Sequence, residues 1–259
     1  VMNTQFSELT DSQWEVIKDF FPIQRKRKYD LRNIADAIFW MLRTGCQWRN
    51  LDSKFPNWRI VYYYKRKFEL DGTWQKLNDF LNEIERWIQN REPLASLVSV
   101  DSQSVKVVPF CSNDKGIDGN KKINGRKRHI IVDTMGLIIG AIVSAANHND
   151  GNQAQILFNR FRERLKRCKK VLGDGAYQNG FDAWLAAHMS IALEVASRPE
   201  TTRGFVPVKF RWVVERTFSW ACFFRRLSKD YEKTVESSET WLLLMNCSII
   251  LSRMAPSAK

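Results

Sequence analysis

Long apolar runs are absent from this chain of 259 residues. A membrane-spanning helix needs about 18 consecutive apolar residues, whereas the longest runs, 137–146 and 241–251, are far shorter. The first residues also lack the apolar segment of a secretory signal peptide. The sequence therefore predicts neither a membrane partner nor export, and we expect a cytoplasmic protein.

Cysteine and histidine are scarce, with five cysteines and three histidines in the chain. No two cysteines form a C-x-x-C pair, and the histidines show no metal-ligand spacing. This pattern argues against a disulfide framework and against a zinc site. We expect reduced thiols, at Cys46, Cys111, Cys168, Cys222 and Cys247.

Acidic residues are few relative to basic ones, 28 against 41, which gives a net charge of +13. Most of the excess, +10, lies in residues 96–259, and +3 lies in residues 1–95. An excess of this size is typical of proteins that bind a polyanion, above all nucleic acid. The alternative is a basic surface that serves only solubility.

Residues 1–95 are predicted to form an all-α domain. Apolar residues recur three and four apart, as on one face of a helix, and a turn at Thr44-Gly45 separates two of these segments. A further predicted helix, 58–69, carries three tyrosines beside Lys65 and Arg66. This order is compatible with a helix-turn-helix module that binds DNA. A bundle that serves packing or dimerisation is the alternative.

Residues 96–259 change character, because β-branched and apolar segments now alternate with helical ones. The order is three strands, helix, strand, helix, strand and helices, which predicts an α/β fold with a mixed five-stranded sheet flanked by helices, as in ribonuclease-H-like domains. The predicted strands are 97–108, 128–133, 137–146, 170–174 and 191–196, a loop covers 114–126, and helices cover 150–168, 181–188, 210–227 and 237–254.

Three acidic residues are placed where a metal site would need them. Asp101 lies midway along a predicted central strand, where a carboxylate is costly unless it is paired, hydrogen-bonded or metal-bound. Asp174 ends a strand that opens into a glycine turn, and Glu215 lies in an apolar-flanked helix. The spacing predicts a site for hard cations such as Mg²⁺. Alternatively, Asp174 caps the turn and Glu215 pairs with Arg211, and we interpret Asp133 as a turn cap.

Several segments resemble motifs of DDE transposases from bacterial insertion sequences, and in particular family five within the family four/five class. The match covers nearly the whole chain. It is carried by VDSQSVK (100–106), NGRKRHIIVDTMGLIIGAIVSAANHND (124–150), LGDGAYQNGF (172–181), RWVVERTFSWACFFRRLSKDYE (211–232) and, in the N-terminal part, LTDSQWEVIKDFFP (9–22) and TGCQWRNLDSKFPNW (44–58).

This resemblance implies a ribonuclease-H-like catalytic domain with Asp101, Asp174 and Glu215 as catalytic and metal-binding residues. It implies two Mg²⁺ ions, which Mn²⁺ could replace, and DNA strand cleavage followed by strand transfer. The expected partners are double-stranded DNA, as the terminal inverted repeats and the target, and a second copy of the chain in a dimer or larger synaptic assembly. We expect the protein on the bacterial nucleoid when it binds DNA.

The class signature around the glutamate is only partly present. Arg211 fits its arginine, but the tyrosine position holds Val208 and the lysine position holds Cys222. On the predicted helix 210–227, Arg226 lies three turns beyond Glu215 on nearly the same side, and we expect it to contact DNA that flanks the site.

Basic residues near these motifs are the candidate DNA contacts, because lysine and arginine neutralise phosphates. Two other functions remain open, namely a metal-dependent nuclease that does not join strands and an inactive DNA-binding protein. The candidate DNA-binding residues are Lys106, Lys121, Lys122, Arg126, Lys127, Arg128, Arg211 and Arg226, together with Lys65 and Arg66.

Overall fold

The computed structural model describes residues 6–23, 28–111, 113–178, 180–195 and 212–254. Eight α-helices and six strands lie within these ranges. The helices are α1 (Asp11–Ile17), α2 (Leu31–Thr44), α3 (Trp58–Leu70), α4 (Thr73–Ile88), α5 (Asp150–Arg160), α6 (Phe181–Met189), α7 (Trp212–Ala221) and α8 (Val235–Met254). The strands are β1 (Leu97–Lys106), β2 (Gly116–Asp118), β3 (Ile123–Asp133), β4 (Ile138–Ala145), β5 (Lys170–Gly173) and β6 (Ala192–Val195).

The strands form one mixed sheet in the order β4-β3-β1-β5-β6. Strands β1, β3 and β4 pair antiparallel, whereas β5 and β6 run parallel to β1. This arrangement, an antiparallel meander followed by two parallel strands, is that of the ribonuclease-H-like fold, so the predicted fold class is confirmed.

The predicted number of strands is wrong, because the described ranges alone contribute six strands to the sheet and not five. The extra strand, β2, pairs with residues 123–125 of β3, in a segment that the sequence analysis treats as a loop. Only three residues long, β2 includes Gly116 and Asp118, two residue types that are depleted in strands. Strand β3 therefore begins five residues before its predicted start at residue 128.

Both faces of the sheet are covered by apolar residues, as expected for central strands. On one face Val98, Val100 and Ile131 join α5 and α6 in a buried cluster. On the other face Ile130 and Val132 join a larger cluster that includes α2, α3, α4, α7 and α8. Helices therefore flank the sheet on both sides.

The larger cluster contains residues from both sides of the predicted boundary at residue 95. Buried residues of α2, α3 and α4 share it with residues of α7, α8 and the sheet. A buried amide group strengthens this junction: Asn246 on α8 donates to Asn78 and Asn82 on α4, at 2.7 and 2.8 Å. Both of these asparagines donate in turn to the carbonyl of Ile138 at the start of β4. The two parts thus share one core, and the boundary itself stays a prediction.

Helix α2 ends against the segment that follows α7. Gly45 adopts the left-handed conformation, with φ of +65°, and a Cβ there would lie 2.9 Å from the carbonyl carbon of Arg225. Both the backbone angle and the close approach therefore require glycine. Beyond this turn, 13 residues separate α2 from α3, whereas the turn of a helix-turn-helix motif has about 3–4 residues.

In the part of the chain described here, no helix is both long and apolar enough to cross a membrane.

Candidate functional site

Asp101 and Asp174 lie on neighbouring strands in matching register. Strands β1 and β5 pair in parallel, with Ser99 opposite Leu172, so paired residues are 73 positions apart. Asp101 and Asp174 are separated by the same 73 positions. Asp174 follows β5 directly and keeps extended backbone angles, φ of −92° and ψ of −179°. The paired residues end at Ser99 and Leu172. Continued by two residues, this register would set the two aspartates opposite each other, at the spacing of about 4.8 Å between adjacent strands.

Local hydrogen bonds orient both carboxylates. The amide of Ser102 donates to Oδ1 of Asp101 at 2.7 Å. Oδ1 of Asp174 accepts the amide of Ala176 at 3.0 Å and caps the short turn Gly175–Tyr177. Asp174 does cap this turn, as the alternative prediction states, but a cap uses one carboxylate oxygen and leaves the metal-binding hypothesis open.

Tyr177 provides independent support for a concentration of negative charge at this point. Its side chain is buried, and burial raises the pKa of the phenol well above its usual value. The carboxylates of Asp101, Asp150 and Asp174 raise this pKa further. All three aspartates are thus close enough to influence one buried phenol, and Asp150 is a residue that the sequence analysis missed. Asp150 is the first residue of α5, and its role depends on contacts with β1 and β3 that no local pattern in the sequence shows.

Asp150 connects to a polar cluster behind Asp101. Its Oδ1 accepts the hydroxyl of Ser102 at 3.0 Å and lies 3.0 Å from Nζ of Lys127. His129 lies next to this pair, with Nε2 3.0 Å from the hydroxyl of Ser144. Burial lowers the pKa of His129 to about 4, so the ring is neutral at neutral pH.

Glu215 lies on α7, which packs over the same face of the sheet as Asp101. Val213, Val214 and Phe218 of this helix are buried in the larger core, whereas Glu215 is on the exposed side. Within the described ranges, no three His, Cys, Asp or Glu side chains come close enough together to hold a metal ion. The strand register thus aligns the two aspartates, but no metal-binding group that includes Glu215 is found among the described residues, and the triad stays a prediction.

The donor set fits a hard divalent cation. Carboxylate oxygens are the ligands that Mg²⁺ prefers, and this ion binds through one or two carboxylates while keeping waters and substrate phosphate oxygens. The pair Asp101 and Asp174 satisfies this requirement without a third protein ligand.

Asp133, by contrast, accepts hydrogen bonds from the amides of Met135 and Leu137 and pairs with Arg86, so its predicted role as a turn cap is confirmed.

The candidate DNA contacts in β3 are buried, and the expected phosphate contacts do not fit this placement. Arg126 is 0% exposed, pairs with Asp230 at 3.3 Å and donates to the carbonyl of Glu232. Arg128 is 2% exposed and donates to the carbonyl of Leu227. Lys127 is buried through its contact with Asp150. We correct these three assignments, because the side chains satisfy internal acceptors.

Arg226 and Lys65 are also buried, and both assignments need correction. Helix α7 ends at Ala221, so Arg226 belongs to the short turn Arg225–Leu227 and the predicted alignment with Glu215 is wrong. Nε of Arg226 donates to Glu232 at 2.8 Å. Lys65 contacts Glu69 at 2.7 Å, and burial lowers its pKa.

The remaining candidates differ in exposure. Lys106, Lys121 and Lys122 are exposed and can reach a ligand. Arg66 is half-buried and pairs with Glu69. Arg211 lies outside the described residues. Of the predicted DNA-binding residues, the exposed lysines therefore lie at the end of β1 (Lys106) and in the turn before β3 (Lys121 and Lys122).

Comparison with known proteins gives two family matches. Residues 9–78 match a family described as "Putative transposase of IS4/5 family", and residues 92–251 match the family "Transposase DDE domain". Together these matches cover most of the chain.

Two curated relatives are similar over part of the chain. The "Putative transposase for insertion sequence element IS402" of Burkholderia cepacia is 32% identical over 132 residues, which cover 48% of this chain and 62% of that protein. An uncharacterised protein, y4sN, of Sinorhizobium fredii is 38% identical over 64 residues, covering 23% of this chain and 49% of its own length. The chain thus spans about half to three fifths of the relatives it matches.

Among solved structures, the chain is similar to the one titled "Crystal structure of the Mos1 mariner paired end complex with Mn". The sequence identity is 11%, and the TM-score is 0.34. The similarity covers 88% of this chain and 78% of that one.

Proposed function

Because the chain belongs to the DDE transposases of the IS4/5 class, we propose that it cuts DNA at the ends of an insertion sequence and joins these ends to target DNA. The observation that carries this proposal is the parallel pairing of β1 with β5, whose register, continued by two residues, aligns Asp101 with Asp174 at the carboxyl ends of these strands. Paired carboxylates at such an edge suit phosphodiester chemistry on a polyanionic substrate.

In the proposed reaction, the oxygen of a water attacks the phosphorus at the end of the element, and the bond from phosphorus to the 3′ oxygen breaks. The 3′ hydroxyl then attacks a phosphorus of the target strand, whose own 3′ oxygen leaves. Both steps are in-line displacements and need no covalent bond to the protein. Bound divalent metal, two Mg²⁺ ions or Mn²⁺ in their place, would supply activation of the attacking oxygen and charge stabilisation of the leaving oxygen.

The residues of the chain would bind and orient the reacting groups. We propose Asp101 and Asp174 as metal ligands whose carboxylates are held by the amides of Ser102 and Ala176. Glu215 is the proposed third ligand, on a helix that packs over the same sheet face. Asp150 is a proposed positioning residue, because it holds the hydroxyl of Ser102 next to Asp101.

The proposed partners are the terminal inverted repeats, the target duplex and a second copy of the chain. Two element ends have to be held together for concerted joining, which favours a dimer or larger synaptic assembly on the bacterial nucleoid. In the helical part, Arg59, Tyr62 and Tyr63 form an exposed basic and aromatic surface on α3 that suits contact with DNA.

An assay of cleavage and strand transfer tests this proposal. Labelled DNA that carries the ends of the element is incubated with Mg²⁺ and wild-type protein, Asp174→Asn or Glu215→Gln. Bound metal would supply several kcal/mol of transition-state stabilisation, and loss of a carboxylate ligand weakens its binding, so we expect a loss of at least about a hundredfold in each variant.

Glu236→Gln is the matched control, because Glu236 is an exposed glutamate in the first turn of another helix, α8. It should retain wild-type activity. Nicked but unjoined products from wild type would indicate a nuclease instead. Specific binding without any cleavage in Mg²⁺ or Mn²⁺ would indicate an inactive DNA-binding protein, and equal activity of Asp174→Asn would remove Asp174 from the site.

A further inference from the structure

A groove lies beside the candidate site, on the same face of the sheet. Its volume is about 270 Å³. Residues 103–106 at the end of β1 form one wall, and Ala221, Cys222 and residues 227–229 form the other. Small-ligand pockets usually measure about 300–1,000 Å³. The groove therefore suits a short section of an extended ligand better than a complete small molecule.

The position of Gln103 connects the groove to Asp101. Residues two apart on a strand point to the same face, so Gln103 and Asp101 share a face and lie about 7 Å apart along β1. One DNA strand advances about 3.4 Å per nucleotide along the helix axis. A phosphate in the groove would therefore lie one or two nucleotides from a phosphate at Asp101.

Among the residues that the structure describes, the lining of the groove includes two lysines and no carboxylate. Lys106 and Lys229 are exposed, one on each wall. Arg128 pairs with Gln103 across the strands and donates to the carbonyls of Leu227 and Lys229, so its guanidinium lies beneath the groove. Its Nε has no hydrogen-bond partner among the described residues. Burial lowers the pKa of Arg128 to about 10, and the group stays positive at neutral pH.

Backbone pairing makes the two walls rigid. The amide of Asp230 donates to the carbonyl of Lys106 at 2.9 Å, and the amide of Val108 donates to the carbonyl of Asp230 at 3.1 Å. The carboxylate of Asp230 points inward, to Arg126 and Ser238. The charge of Asp230 is thus compensated within the protein, and the lysines are held on walls that do not need to be ordered on binding.

We infer that this groove binds the sugar-phosphate backbone of the DNA strand one or two nucleotides from the bond that is cut, with Lys106 and Lys229 contacting its phosphates. This inference rests on the proposed function and names the path of the substrate next to the site. The contacts are to backbone, so they position the strand without reading its sequence.

Salt dependence of binding measures these contacts directly. The full chain carrying Asp174→Asn, which prevents cutting, is titrated onto a mixed-sequence duplex of three helical turns at several salt concentrations. Each lost phosphate contact lowers the slope of log K against log salt by about 0.9. We expect this decrease for Lys106→Gln and for Lys229→Gln, and twice the decrease for the double variant.

Lys169→Gln is the matched control, because Lys169 is equally an exposed lysine but precedes β5, at the opposite end of the sheet. Its slope should equal that of the parent. The inference is overturned if the two groove variants keep the parental slope, if Lys169→Gln shows the same decrease, or if the parent does not bind the duplex.

Cys222 gives a second readout at the groove wall. Its thiol is exposed, so its modification by a maleimide can be followed by peptide mass spectrometry. Bound duplex should slow this modification several-fold in the parent and less in the double lysine variant. An unchanged rate at saturating duplex would overturn the inference. The salt slope and the rate of Cys222 modification are both independent of cleavage. An absence of cleavage activity and an absence of DNA binding in the groove can therefore be distinguished.

Discussion

The two halves of the basic segment 121–128 have opposite environments. Lys121 and Lys122 lie in the turn before β3 and are exposed, whereas Arg126, Lys127 and Arg128 lie within β3 and are buried. The exposed half can exchange counterions with a polyanion, and the buried half satisfies carbonyls and carboxylates of its own chain. A cluster of basic residues in a sequence is therefore not equivalent to a basic surface.

The difference arises because β3 has a partner strand at both edges and a covered layer on each face. Arg126 and Arg128 point to the side of α7 and α8 and reach the segment 227–233, whose carbonyls they bind. Isolated buried charges are costly, so both guanidinium groups donate to carbonyls of this segment, and that of Arg126 also pairs with Asp230. In this protein the cations join the catalytic sheet to its covering helices.

The largest expected effect, on the free energy of unfolding, comes from breaking the buried ion pair between Arg126 and Asp230. Arg126→Ala leaves the carboxylate of Asp230 buried without its cation, which costs about 3–5 kcal/mol of unfolding free energy. Lys121→Ala should change this free energy by less than about 0.5 kcal/mol. Urea unfolding of the two variants measures both values. Equal, small losses would mean that Arg126 is not buried and that the two halves do not differ.

The pH dependence of stability tests the buried half at His129. The pKa of this group falls from 6.5 to about 4 on folding because of burial. The unfolded chain therefore takes up a proton first, and stability that is present above pH 6.5 is lost as the pH falls towards 4, on the order of 3 kcal/mol. His129→Gln should remove this loss.

Because Asp36 titrates in the same pH range, the stability of the His129→Gln variant has to be compared with that of wild type at each pH. Burial raises the pKa of Asp36 from 3.8 to about 6, so its contribution to stability rises as the pH falls through the same window. The difference in unfolding free energy between His129→Gln and wild type isolates the histidine. His188→Gln, at an exposed histidine, should keep the wild-type profile. A His129→Gln profile equal to wild type would contradict the burial of His129.

The smallest effect is expected at the exposed half. Lys121→Gln should reduce the salt slope of DNA binding by about 1 with no measurable loss of stability. Lys127→Gln should leave the slope unchanged, because Nζ of Lys127 contacts Asp150 and the carbonyl of His148. Binding titrations at several salt concentrations distinguish the two. Equal decreases would show that both halves reach DNA and that the comparison does not hold.

Much of the fold was predictable from local patterns. The apolar segments of β3 and β4, with a short turn between them, indicate a hairpin, and the observed pairing is antiparallel. The end of α7 was not predictable in the same way, since no proline or glycine follows Ala221 and the helix stops where its residues meet the end of β1. Strand β2 was missed because three residues carry no periodicity.

The site was predictable only in part. Asp101 and Asp174 were identifiable as isolated acids at strand positions, and their register follows from the way β1 and β5 pair. Asp150 and Lys229 carry no such signal, because their roles depend on contacts between segments distant in sequence. The burial of Arg126 and Arg128 likewise depends on segment 227–233, about a hundred residues away.

The position of α8 has a consequence for how the chain acquires its structure. This helix, Val235–Met254, is buried along most of its length between β4 and the helices α2, α3 and α4. The N-terminal helices are synthesised first, yet their apolar faces are completed by a segment more than 150 residues later. Contacts of such high sequence separation slow folding. A nascent chain would therefore expose these apolar faces until α8 has left the ribosome, and the exposed faces would be binding surfaces for chaperones.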